Sequence, residues 1–161
     1  MSDKEQCTLD SSQAKKINLP NAENKNNQIK LTFKSRSENV ALARLLASAI
    51  VSERDMTLAE LDEIKVAVSE AVSNAIIHGY QNDRECWVEM SMELTDNELI
   101  ITIHDDGVGI EDIEEAMKPH FSQDQDRMGL GFAFMHSFMD KVEVASIPKC
   151  GTTVTLTKKL S

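Results

Sequence analysis

No stretch of this chain approaches 18 consecutive apolar residues, so no transmembrane helix is available to it. The opening residues, Met1-Ser-Asp-Lys-Glu-Gln, are polar and lead into no apolar core of the signal-peptide kind. Cysteine is sparse: Cys7, Cys86 and Cys150 are odd in number, form no CxxC, and read as free thiols in a reducing compartment. Basic residues are outnumbered, 17 to 27, for a net charge of −10. That balance argues against a surface built to track nucleic-acid phosphates or anionic lipid, though not against a local basic spot for one anionic ligand. There is no internal repeat. What remains is the expectation of a soluble, cytoplasmic protein with one domain of ordinary size among its 161 residues.

Residues 1–28 read as a flexible polar tail. Five asparagines and few apolar side chains leave nothing periodic to bury, and four lysines balance four acids, so the whole net charge belongs to residues 29–161. The domain opens with the alternating strand Ile29-Lys-Leu-Thr-Phe33. A helix is predicted from Ser37 to about Glu53, with Val40, Ala43, Leu46, Ala47 and Ile50 on one stripe. Thr57-Leu-Ala-Glu60 has capping-box spacing, and an apolar helical period runs from there to Gly79, read as a C-cap. Two strands alternate around the turn Thr95-Asp-Asn-Glu98. A polar, irregular stretch to Asp126 precedes a helix starting near Gly129, and Pro148-Lys-Cys-Gly151 joins two last strands. The order β-α-α-β-β-loop-α-β-β predicts an α+β fold: a mostly antiparallel sheet with helices packed on one face.

Four short patterns could carry chemistry. Glu70 and Asn74 lie four residues apart on one helix face, followed by His78 and Gly79. A carboxylate and an amide oxygen there can share a hydrated Mg²⁺, or can be a solvated helix edge. Asp105-Asp-Gly-Val-Gly109 ends a strand, where an aspartate can accept from an exocyclic amine or simply begin a turn. Arg127-Met-Gly-Leu-Gly-Phe132 enters a helix, whose free amides suit an anion, or forms a plain loop-to-helix junction. Gly151-Thr152-Thr153 alone is a good strand start.

Taken in order, EAVSNAIIHG (70–79), DDGVGI (105–110), GLGF (129–132) and GTT (151–153) resemble the four boxes of the ATPase/kinase superfamily shared by gyrase, Hsp90, histidine kinases and MutL. Within it, residues 68–80, Phe138-Met-Asp140 and the Thr157-Lys-Lys-Leu160 ending look like the anti-sigma F factor family of sporulating bacteria. The resemblance spans about residues 29–160 and implies a Bergerat-type ATP-binding sandwich, here an ATP-binding kinase/anti-sigma domain. By position it implies Glu70 as general base and Asn74 as Mg²⁺ ligand. It places Asp105 on the adenine amine with Thr152 in support, Gly107 and Gly109 beside the ring, and Gly129, Gly131 and Arg127 at the phosphates. It implies that Arg44 grips the partner proteins. The activity implied is ATP-dependent serine phosphorylation of an anti-anti-sigma protein by a homodimer that also holds a sporulation sigma factor inactive, without direct contact to nucleic acid or membrane.

The family's lid typically carries a lysine and a proline, where this chain has a shorter, acidic Ser122-Gln-Asp-Gln-Asp-Arg127. Residues 105–126 hold eight acids against Lys118, a net −7, which Mg²⁺ and Arg127 would have to offset beside a triphosphate. Two other functions fit less well. A nucleotide-gated sequestering module without kinase activity has no need of a base at Glu70. A detached histidine-kinase domain would want a helical hairpin with a phosphorylatable histidine, which the polar residues before 29 do not supply.

Overall fold

In the computed structural model, which describes residues 26–118 and 128–160, period-2 and period-3.6 patterning decides the elements. Strand β1 (Asn27–Lys34) leads to helices α1 (Asn39–Ile50) and α2 (Leu58–Asn74). The hairpin of β2 (Trp87–Leu94) and β3 (Glu98–Asp105) follows, then a short helix α3 (Ile113–Met117) and helix α4 (Met128–Phe138). Strands β4 (Lys141–Ile147) and β5 (Gly151–Lys159) close the domain. All five strands form one antiparallel sheet in the order β1-β2-β3-β5-β4, so the α+β class holds.

Alternation gives the sheet one dry face. Val88, Met90, Met92 and Leu94 of β2 are buried with Leu99, Ile101 and Ile103 of β3 and Val154 and Leu156 of β5. Ala43, Ala47 and Ile50 of α1, Ile64, Val68 and Val72 of α2, and Phe132 and Met135 of α4 complete the same core. Each fully buried side chain of the size of Ile101 contributes about 1.5–3 kcal/mol. The capping box is formed: the Glu60 amide donates to Thr57 Oγ1 at 3.2 Å, and the Thr57 amide donates to the Glu60 carboxylate at 2.8 Å. Among the described residues no helix is long and apolar enough to cross a membrane.

Several expectations are corrected. The tail read over 1–28 lies outside the described residues up to 25, but Asn27 and Gln28 already pair with Leu94 and Glu93 in β1. Pairing recruits polar residues that periodicity alone assigns to a tail. Helix α1 is shorter at both ends than Ser37–Glu53. The polar stretch after β3 contains α3, whose N-cap Asp112 accepts from the Glu115 amide at 2.9 Å. Gly79 is not a left-handed C-cap: α2 runs on into a π turn, Ala75–Gly79, and the glycines with positive φ are Gly109 and Gly151. A β-carbon on Gly79 would lie 2.5 Å from Asp105 Oδ1, so the glycine makes room for that carboxyl. Cys86 is free, as read.

Candidate active site

The sheet order sets β3, β5 and β4 side by side, and this places three residues in one row. Asp105 ends β3 opposite Thr152 of β5, and Thr152 faces Ser146 of β4. The row opens on a small cleft, partly open to solvent, lined by Asn74, His78, Asp105, Ile110, Phe132 and Thr152 among others. Its walls are largely apolar, with few polar groups converging on it, the general make-up of a small-molecule site.

Asp105 is 4% exposed. The Gly107 amide donates to its Oδ1 at 2.9 Å, and the Thr152 backbone amide also donates to the carboxyl. Burial nonetheless dominates and pushes its pKa up to about 6, because the charged form loses more hydration than two amides restore. The loop after Asp105 is fastened on both sides. The Val108 amide donates to the Gly79 carbonyl at 2.9 Å, tying it to the end of the π turn, and the Ile110 amide donates to Ser146 Oγ at 2.8 Å. Tyr80 braces its start, accepting from the Asp106 amide at 2.8 Å and donating to the Trp87 carbonyl at 2.5 Å. Gly107 and Gly109 both lie in this loop, and Gly109 also lines the cleft.

Gly151 carries the sharpest constraint. Its φ is +108°, and a β-carbon there would sit 1.9 Å from the Asp105 carbonyl oxygen. Gly151→Ala combines backbone strain with a clash against β3, so a loss of about 2–4 kcal/mol is expected. Urea titration of the variant measures it, and an unchanged midpoint would show that the strand can shift without cost.

Glu70 and Asn74 project from α2 toward the first turn of α4. Gly131 permits the approach: a β-carbon there would be 2.8 Å from Glu70 Oε2 and 3.5 Å from Asn74 Nδ2. Asn74 Nδ2 is buried with no hydrogen-bond partner among the described residues. An orphaned amide beside a carboxylate marks a place for a polar ligand, and rotation of the amide presents its oxygen instead. That donor set, amide oxygen and carboxylate, suits a hard cation such as Mg²⁺. Gly129 and Gly131 lie in the first turn of α4, whose dipole favours anions and whose leading amides, Gly129 among them, have no intrahelical acceptor.

Asn74, Asp105, Gly109 and Thr152 thus line one cleft, Gly107 lies in the loop beside it, and Glu70 meets Gly131 in the first turn of α4, which also holds Gly129. Arg127, with the acidic segment before it, lies outside the described residues. Arg44 is elsewhere, exposed on α1 beside Leu42 and Leu45, which are 43% and 69% exposed. Ser146 is the residue that the patterns missed. A polar side chain at an inward position of β4, after Val142 and Val144, was the only local sign of it.

This fold and cleft are those of an ATPase module. Residues 33–158 match the family model of the histidine kinase-like ATPase domain. Among solved structures, the RsbU and RsbW domains of Rv1364c from Mycobacterium tuberculosis align with a TM-score of 0.61 at 20% identity, over 83% of this chain and 32% of that one. A histidine kinase domain from Erythrobacter litoralis EL346 gives 0.52 at 21%, over 75% and 60%. These two likenesses concern the fold alone. Curated relatives are nearer in sequence. Proteins named anti-sigma F factor share 47% identity in Oceanobacillus iheyensis and 45% in Bacillus subtilis, each over 84% of this chain and 94% of the relative. The Clostridium novyi protein of that name shares 41% over 83% and 95%. The chain belongs to the anti-sigma F factor family.

Proposed function

We propose that this chain is an ATP-dependent serine protein kinase that binds a sporulation sigma factor, holds it inactive, and phosphorylates the anti-anti-sigma protein that competes for it. The observation that carries the enzymatic half is the meeting of Glu70, Asn74 and the first turn of α4 at the mouth of a cleft with Asp105 in its wall. The family's name supports the sigma-binding half. In this reading the adenine amine donates to Asp105, Thr152 supports the ring, and the α4 amides with Gly129, Gly131 and Arg127 hold the phosphates. Glu70 takes the proton of the partner's serine hydroxyl as that oxygen bonds to the γ-phosphorus and the bond to the β-phosphate oxygen breaks, leaving ADP. Asn74 would hold Mg²⁺, which when bound neutralises phosphate charge. The protein works as a homodimer in the cytoplasm.

Nucleotide binding has a direct test. A ligand bound only by the native state adds RT ln(1 + [L]/Kd), about 2.7 kcal/mol at a hundredfold excess over Kd. ATP with Mg²⁺ is expected to raise the melting temperature accordingly, and no rise at millimolar ATP would remove the nucleotide from this reading.

Arg44 belongs to the partner surface. Exposed leucines flanking an arginine that can make bidentate contacts are the composition of an interface anchor. Arg44→Ala should leave ATP binding intact and weaken sigma binding by at least ~1.5 kcal/mol, roughly tenfold. Calorimetry against the sigma factor reads this, and parental affinity in the variant would take Arg44 out of the interface.

A further inference from the structure

Ser146 lies at the far end of the row that begins with Asp105, and its hydroxyl serves three groups at once. It accepts from the Ile110 amide at 2.8 Å, donates to the Gly151 carbonyl at 2.9 Å, and stands 2.8 Å from Thr152 Oγ1. A serine hydroxyl has one proton to give. The Gly151 carbonyl can only accept, so with the proton committed there the Thr152 hydroxyl must donate to Ser146. Thr152 Oγ1 then turns lone pairs, and no proton, away from Ser146 toward the cleft that Thr152 lines.

We infer that Ser146 is a positioning residue that fixes the hydrogen-bonding polarity of Thr152, so that the wall formed by Asp105 and Thr152 offers acceptors and selects a purine bearing an amine, rather than a carbonyl, at its sixth carbon. An exocyclic amine brings donors to two neighbouring acceptors. A carbonyl in the same place meets lone pairs with lone pairs and leaves buried polar atoms unpaired, which is the costly outcome. The rest of the wall makes the device rigid: Thr152 is 8% exposed, and its backbone amide is held by Asp105. Freed from Ser146, the Thr152 hydroxyl can rotate and donate to a carbonyl.

This inference rests on the nucleotide reading above, and the experiment separates the two. ATP and ITP differ at the sixth carbon, amine against carbonyl, and in the N1–H that accompanies the carbonyl, so the part of their dissociation-constant ratio that changes with Ser146 measures the polarity of the wall. Ser146→Ala is expected to narrow that ratio roughly tenfold, the scale of one neutral hydrogen bond, mainly through tighter ITP binding. Ser146→Thr retains a hydroxyl and should restore the parental ratio. In a Thr152→Val background Ser146→Ala should have no further effect on the ratio, because there is no hydroxyl left to orient. Equal weakening of both nucleotides by Ser146→Ala, or an effect that persists in Thr152→Val, would make Ser146 merely structural and overturn the inference. An unchanged ratio overturns it too, while binding of ATP by the parent keeps the nucleotide reading intact. If the parent binds neither ATP nor ITP, that reading fails and the inference fails with it. Should Ser146→Ala not fold, the ratio for Thr152→Val decides: it must narrow as well, and a parental ratio there contradicts the proposal.

Discussion

Glu70→Gln should lower phosphorylation of the anti-anti-sigma protein by roughly 10²-fold or more, the usual worth of a positioned base, while ATP still binds. The substitution keeps the length and shape of the side chain, so the close approach of α4 at Gly131 is undisturbed. What it removes is the carboxylate proposed to take the serine proton. Glu70 is half-buried on α2, one turn from the orphaned Asn74 amide, and a neutral amide there cannot accept the proton at any accessible pH. Initial rates with labelled ATP, set against calorimetric ATP affinity, distinguish the roles. Loss of ATP binding together with activity would make Glu70 a structural or ligand-holding residue instead.

Asp105→Asn carries the second large effect. The parental carboxylate accepts from the Gly107 and Thr152 amides and keeps further lone pairs, which the proposed function assigns to the adenine amine. An asparagine keeps one acceptor and replaces the other with donors. ATP affinity is expected to fall roughly tenfold to a hundredfold, as for the loss of a hydrogen bond to a charged group. The same carboxyl predicts a pH dependence with opposite signs for binding and folding. Its pKa stands at about 6, against an ordinary value of 3.8. Lowering the pH through 6 protonates the acceptor, so ATP binding weakens. Between those two values the native state binds more protons than the unfolded chain, so this group's contribution favours folding at low pH and is lost as the pH rises toward 6. Melting curves with and without ATP, taken at pH 7.5 and 5.5, should therefore converge as the pH falls. An ATP-induced shift that is equal at both values would show that Asp105 does not meet the base.

Much of this site was legible because its chemistry is local. All six glycines of the chain fall within the four short patterns, and each pattern sits at the edge of an element that periodicity had already placed. Glu70 and Asn74 share a face because helices repeat every 3.6 residues, and the capping box fixed the start of that helix. The rest depends on pairing between distant strands. Ser146 acquires its role only because β4 lies beside β5 and β5 beside β3, an order that no local window encodes. Gly79 was misread for the same reason. A glycine after a helix looks like a cap, whereas its use here is to admit a carboxyl from a strand 26 residues further on. Helix α3 escaped because five residues are too few for an apolar period to register.

In the proposed function one cleft holds ATP and passes its γ-phosphoryl group to a partner's serine. The most direct measurement incubates the protein with γ-labelled ATP, Mg²⁺ and the purified anti-anti-sigma protein of the same organism, then identifies the labelled residue. Label on a serine of the partner, lost with Glu70→Gln and with replacement of that serine by alanine, is the result expected. A partner left unlabelled while ATP binds and the sigma factor is held would contradict the kinase and leave a nucleotide-gated binding protein in its place.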